Sequence, residues 1–479
     1  MLPGNRKIRR YTAREQENQK VCCPGTGKLE SILPENKNKE EMRIAMIEKI
    51  LSALKAAGAE MYQITETKTE SSELFFIRRS LDMQRKKNVC QATVTVYREF
   101  TEDGKRRMGS AAVQVQDSLT REQMEEMFRD ALYAAGFVKN EYYELYGGQT
   151  ADAADEDAEE GVKASAMDGK TLTEIARCFT EALYAEDTEK DVFLNSAEIF
   201  ASVTACHIIN SRGVDVSYRK SRVEGEFVVQ CTAGQDVETY QDFAYEDMNT
   251  DALRRKVRET MEMTRARAEA VSAPPAGTYR VILKGACVET ILSYYVDRSN
   301  SSLIYQKYST FRTGCDVQGG EVEKDRINLT LKATEPYSME GIPMKDRELV
   351  KDGKLQLIHG GSRFAYYLQL EPTGNYRGYR VPAGTVSLEE MHGEPYLEVL
   401  NFSDFQMDSF DGHFGGEIRL AFLYDGEKKI PVTGGSINGN ILEAQKKLVF
   451  SSEMQVEKNF EGPLAVCLEN INVAGNQES

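Results

Sequence analysis

The stretch KGACVETILSYYVDRSN, Lys284 to Asn300, stands where the chain changes texture. Its apolar residues Val288, Ile291, Leu292, Tyr295 and Val296 recur at i, i+3, i+4, i+7 and i+8, which predicts an amphipathic helix. From Gly277 to the C-terminus, this helix and a shorter one predicted over 441–449 interrupt short strands with turn signals. LVKDGKLQLI around Asp352-Gly353 and AFLYDGEKKIPV around Asp425-Gly426 place apolar residues on both sides of a turn dipeptide, the mark of a hairpin. This portion reads as mainly antiparallel sheet.

On the N-terminal side of that boundary the elements are longer. Met46, Ile47, Ile50, Leu51 and Leu54 make a helical stripe ending at Gly58, followed by strand-like segments at 61–67, 73–79 and 90–98. Thr120-x-x-Gln123 opens a second helix as a capping box, burying Met124, Met127, Phe128, Ala131 and Leu132. The arrangement then recurs. Thr171-x-x-Glu174 caps another helix, strands follow at about 197–206, 213–219 and 223–232, and a helix runs from Thr250 until Pro274-Pro275 stops it. The expected class is α+β: a layered N-terminal α/β domain over 41–275 with a candidate helix–strands–helix duplication, and a β-rich domain over 276–479. Residues 1–40 lack periodicity and are expected to be a disordered extension. The acidic run within 149–165 is expected to be a linker, since like charges so dense disfavour packing.

At 479 residues, with 41% hydrophobic and 28% charged, the chain is long enough for two cores and typical of globular proteins. No run approaches the roughly 18 consecutive apolar residues of a membrane span, and the N-terminus lacks a secretory apolar core. Nine scattered cysteines without such a core imply reduced thiols and a cytoplasmic location. The net charge of −16 repels phosphate backbones, so direct nucleic-acid binding is not expected. Pro24 to Lys28, PGTGK, fails as a phosphate loop. Cys22 stands where its first glycine belongs and Leu29 where a magnesium-holding hydroxyl belongs.

Chemistry-bearing residues are sparse. The four histidines, His207, His359, His392 and His413, have no spacing that joins two of them on one element. His359 opens His-Gly-Gly-Ser, but without a nucleophile elbow it reads as turn chemistry. Cys206 and His207 are strand neighbours pointing to opposite faces, so they form no dyad. The tyrosines around 366–379 read as core or cross-strand pairs, some of them candidates for lining a peptide groove.

In the C-terminal portion, SMEGIPMKDRELVKDGKL at 338–355, PTGNYR at 372–377, IPVTGGSINGNILEAQKKL at 430–448 and GPLAVCLENINVAG at 462–475 resemble the TldD/PmbA family of metalloprotease and "modulator of DNA gyrase" proteins. NSRGVDVSYRKS at 210–221 and Ala-Ala-Gly-Ala at 56–59 extend the resemblance over most of the chain from about Glu41. The resemblance implies a complex that trims peptides within an enclosed chamber. Its catalytic members carry His-Glu-x-x-x-His on the helix opening the C-terminal domain, with a later cysteine as third zinc ligand.

If VETILS overlies that motif, Val288 and Ser293 replace the histidines and Glu289 keeps the acid. The resemblance then implies a PmbA/TldE-like subunit with no metal or catalytic residues of its own, paired with a zinc-bearing TldD-like chain or with a second copy of itself. An extended peptide is its expected substrate. Family-motif candidates for substrate contact are Glu340, Gly341, Gly374, Asn375, Gly439 and Asn440. Two alternatives stay open. One is an active metallopeptidase using His359, His392 or His413 with carboxylates; the other is a stand-alone peptide-binding or regulatory protein.

Overall fold

The structure, a computed structural model, describes residues 35–148, 167, 169–270 and 272–476, with side chains from 46 onward. Pro24 to Lys28 and the acidic run lie outside the described residues. The chain divides into two units, Met1–Lys49 and Ile50–Ser479. In the first, helix α1 (Glu35–Ala57) begins at Glu35, earlier than expected from the sequence.

The N-terminal part of the second unit is a seven-stranded antiparallel sheet. Its strands are β1 (Met61–Ile77), β2 (Ser80–Glu102), β3 (Lys105–Gln116), β4 (Asn140–Glu141), β5 (Val192–Asn210), β6 (Asp215–Cys231) and β7 (Val237–Tyr245), in the order β4-β3-β2-β1-β5-β6-β7. With α2 (Arg121–Ala135), α3 (Leu172–Tyr184) and α4 (Thr250–Glu269), the chain runs helix, three strands, helix, twice over. The two triplets meet where β1 pairs β5. Both capping boxes form, with Thr120 bonded to Gln123 and Thr171 to Glu174.

The strands are longer than their apolar runs. The segments expected at 61–67 and 73–79 are one strand, those at 213–219 and 223–232 are another, and β3 and β7 had no counterpart in the sequence reading. Polar residues sit mid-strand because they are satisfied across the sheet. Glu73 takes Ser71 Oγ at 3.0 Å, Arg85 at 2.5 Å and Lys87 at 2.9 Å from its own and the neighbouring strand. Ala197, Ile199, Val223 and Phe227 share a face packed on Phe179, Leu253 and Val257 of the helices. The opposite face is mixed, with Thr65, Thr67, Thr69, Gln91 and Thr204 beside the buried Cys206 and Ile208, and its end at Gln63 and Tyr97 borders the cavity described below.

The C-terminal part opens with β8 (Gly277–Lys284) and α5 (Ala286–Arg298), the predicted helix. A six-stranded sheet comprises β9 (Leu329–Lys332), β10 (Arg347–Lys351), β11 (Lys354–Leu355), β12 (Gly378–Arg380), β18 (Met454–Glu457) and β19 (Phe460–Pro463). The last sheet joins β13 (Tyr396–Met407), β8, β20 (Ala465–Ala474), β16 (Ser436–Asn440), β14 (His413–Tyr424) and β15 (Lys429–Val432), with β17 (Val449–Phe450) beside β20. Because β13 also pairs β14, five of these strands close into a ring.

Both predicted hairpins form, and Asp352 and Gly353 take the paired positive φ (47° and 72°) that a two-residue turn requires. The two-helix expectation for this portion is corrected. The helix at 441–449 is only α9 (Ile441–Ala444), and α6 (Ser301–Tyr305), α7 (Ser362–Leu368) and α8 (Leu388–Met391) are added. Helices of one or two turns are too short to display a 3.6-residue period. One apolar cluster, including Val288, Ile291, Leu292 and Tyr295 of α5, joins these sheets. Each such fully buried side chain contributes about 1.5–3 kcal/mol of transfer free energy.

Candidate functional site

The loops around α6 and α7 converge because their polar side chains satisfy one another's backbone. The Asn300 side chain caps α6 by accepting from Ser302 N at 2.9 Å, and its Nδ2 donates to Asn375 Oδ1 at 3.2 Å. Glu340 Oε2 accepts from Ser362 N at 2.8 Å and from Ser362 Oγ, supplying α7 with the cap that Gly361 lacks. Glu340 is itself held by a turn in which Ser338 Oγ accepts from Glu340 N and Ile342 N, both at 3.2 Å. Gly341 and Gly374 take φ of 77° and 79°, and a side chain at either would strike Val214 or Met344.

His359 lies beneath this junction, 2% exposed, and its Nε2 must be the donor to the Val296 carbonyl at 2.9 Å. Burial pushes its pKa down, so the ring is neutral.

Above these loops stands the end of the N-terminal sheet. Gln63 Nε2 donates to Met339 O at 2.8 Å, Tyr367 donates to the Glu141 carbonyl at 2.6 Å, and Tyr143 stacks edge-on against Tyr367. Between them is a cavity of about 330 Å³ lined by Gln63, Tyr97, Tyr143, Asn300, Glu340, Arg363 and Asn375, among others. Burial raises the Tyr97 hydroxyl pKa and pushes Tyr143 up to about 12, so both present neutral hydroxyls. A second cavity of about 700 Å³ shares Asn300 and Ser302 with the first and carries Asp297, Asp408, Phe410, His413 and Asn438. Its outer loop is fixed by Arg298, which donates to the carbonyls of Tyr308 at 2.6 Å and Phe410 at 2.9 Å.

Of the family-motif candidates, the structure brings Glu340 and Asn375 to the first cavity, while Gly341 and Gly374 shape the turns that deliver them. Gly439, on β16, faces the Phe414 ring of β14, and Asn440 caps α9 and donates to Asp411 O at 3.1 Å. Neither lines either cavity, though their neighbour Asn438 reaches the second. Asn300, Ser302, Arg363, Tyr97 and Tyr143 were not legible as site residues. The one available signal, Asn300 directly after an amphipathic helix, reads equally well as a cap.

Val288 is 0% exposed in the apolar cluster, and Ser293 Oγ donates to Thr290 O at 2.8 Å. Burial lifts the Glu289 carboxyl to about 7, with Lys458 lowering it and Glu457 raising it. None of the three lines either cavity. The remaining histidines are separately engaged: His207 with Asp215 at 2.7 Å, His392 with Glu398 at 3.2 Å, and His413 with Asp411 at 3.0 Å. Among the described residues no three His, Cys, Asp or Glu side chains gather as a metal site.

These features define an α+β protein with antiparallel sheets. Residues 276–475 match the PmbA/TldA metallopeptidase C-terminal domain. Three crystal structures share the fold. TldE from Thermococcus kodakarensis is 17% identical, with a TM-score of 0.70, 90% of this chain covered and 100% of that one. A protein described as a modulator of DNA gyrase from Thermotoga maritima is 16% identical, with a TM-score of 0.68 and coverage of 91% and 100%. Another so described, from Bacteroides thetaiotaomicron, is 16% identical, with a TM-score of 0.70 and coverage of 93% and 100%. No curated protein matches in sequence. Over residues 276–475 the chain is similar to the PmbA/TldA family, and the likeness to the three structures extends the shared fold over most of the chain. No helix among the described residues is long and apolar enough to cross a membrane.

Proposed function

We propose that this chain is a PmbA/TldE-like subunit of a TldD-type zinc metallopeptidase complex in the cytoplasm, shaping the peptide chamber without holding zinc itself. The observation that carries this reading is the setting of Val288. Zinc takes imidazole, thiolate or carboxylate lone pairs at roughly 2.0–2.3 Å, and position 288 offers two methyl groups turned into an apolar core. Ser293, the other motif position, spends its hydroxyl on its own helix. The donor set does not fit zinc, so no hydrolytic step is assigned to this chain. The metal and the water it activates belong to the partner, a chain carrying His-Glu-x-x-x-His.

The role left to this subunit is to hold an extended peptide. The two cavities, which share Asn300 and Ser302 in their walls, offer neighbouring polar, aromatic-lined recesses, and Ser80 to Val89 of β2 run beyond the reach of β3 as an open strand edge. Affinity purification of the tagged chain from its native cell tests the assignment. Recovery of a zinc-bearing relative that cleaves peptides only in the complex supports it; recovery of a homodimer, or of a DNA-associated target without such a relative, overturns it.

A further inference from the structure

Resting on that peptide-holding role, we propose that the cavity at Asn300 receives the C-terminal end of an extended peptide, with Arg363 as the receptor for its carboxylate.

Arg363 lines the cavity and forms no ion pair among the described residues, although the protein as a whole is acidic. Glu340, the only acid among the cavity's lining residues, is committed to Ser362 and cannot serve as its counter-charge. The guanidinium is nevertheless held in place. Its Nη2 donates to Asn140 Oδ1 at 2.8 Å, and its centre lies 4.9 Å from the Phe364 ring, 5.8 Å from Tyr367 and 5.9 Å from Tyr143. An arginine so stacked is a pre-oriented planar fork, the geometry that recognises a carboxylate through two parallel hydrogen bonds. Its Nε is enclosed and has no hydrogen-bond partner among the described residues, so the planar group is fixed by packing and by the Nη2 bond.

The surroundings give the ligand a direction. At about 330 Å³ the cavity sits at the small end of the roughly 300–1,000 Å³ spanned by ligand sites, so it suits a chain end rather than a folded domain. The neighbouring cavity, on the other side of Asn300, carries Asp297 and Asp408, which disfavour a carboxylate and favour cationic groups. A peptide entering from that side therefore places its carboxylate at Arg363 and its preceding residues beside the acids. The same chemistry could come from the chain terminus or from an Asp or Glu side chain, and the experiment separates them.

Fluorescence anisotropy of the full chain is measured with three N-terminally labelled decapeptides of one unstructured sequence: a free acid, its C-terminal amide, and the amide with Glu as last residue. The free acid is expected to bind at least tenfold more tightly than the amide. Arg363→Gln removes that ratio and Arg363→Lys keeps part of it. An amide ending in Glu that recovers the affinity assigns the site to a side-chain carboxylate and overturns the terminal assignment. Equal affinity for all three peptides overturns Arg363 as the receptor and leaves the peptide-holding role standing. Binding of none of them overturns both. Should Arg363→Gln not fold, the wild-type ratio still decides, and it must shrink between low and high salt if charge recognition underlies it.

Discussion

Val288→Ala is the substitution whose outcome separates a packed core position from a dormant metal site. The side chain is fully buried in one cluster with Ile291, Leu292 and Tyr295. Deleting two methyl-sized groups removes about 1.6 kcal/mol of transfer free energy. The cavity left in a core closed by two sheets raises the loss to about 2–3 kcal/mol. Urea unfolding followed by circular dichroism should therefore show a lower midpoint at unchanged slope. Ser293→Ala is the internal control. It forfeits a helix back-bond to Thr290 in a half-buried setting and should change stability by no more than about 0.5 kcal/mol. A Val288→Ala loss below about 0.5 kcal/mol would refute the reasoning. So would a Val288→His/Ser293→His chain that keeps the wild-type midpoint and takes up one zinc, because the position would then be open and poised for a ligand.

Two charge predictions follow from burial. The folded protein keeps a proton on Glu289 up to about pH 7, against 4.5 for the free group, so stability should fall as pH rises between those values and stay lower above them. Glu289→Gln should flatten that profile and stand about 2 kcal/mol above wild type at pH 8 in urea unfolding, a figure discounted for partial exposure. Glu398 behaves in the opposite sense. It is 3% exposed, and although burial acts to raise its carboxyl, Lys284 at 3.6 Å, Lys429 at 3.3 Å and His392 at 3.2 Å hold it below the usual range. Glu398→Gln should cost about 3 kcal/mol at pH 7, and the difference from wild type should shrink as pH falls below the ordinary carboxylate value of 4.5 and through the lowered folded value; a pH-independent difference would exclude the ion cluster as its cause.

Much of the scaffold was legible because its signals are local. The stripe at 288, 291, 292, 295 and 296 became α5, Thr120 and Thr171 capped helices, and Asp352-Gly353 turned a hairpin. The strands were harder to delimit because the charges of Glu73, Lys87 and Arg85 are paired across strands, which leaves no alternation to read along the chain. The cavity was less legible still. Tyr97, Tyr143, Asn300, Glu340 and Arg363 come from five separate segments, and each has an adequate local explanation as a stacking, capping or turn residue. Glu340 and Asn375 surfaced through family resemblance, while Arg363 belongs to no motif and becomes visible only once its missing counter-charge is seen.

The proposal stands on one claim: if VETILS overlies the His-Glu-x-x-x-His motif, an aliphatic core residue, Val288, and a helix-bonded hydroxyl, Ser293, stand at the histidine positions and leave this chain without a means to activate water. The direct measurement is the zinc content of the isolated full-length chain by inductively coupled plasma mass spectrometry, with peptide cleavage assayed on the same material. The account predicts substoichiometric zinc and no cleavage, with activity arising only when a His-Glu-x-x-x-His partner is added. One tightly held zinc per chain, with cleavage that a chelator abolishes, would contradict it.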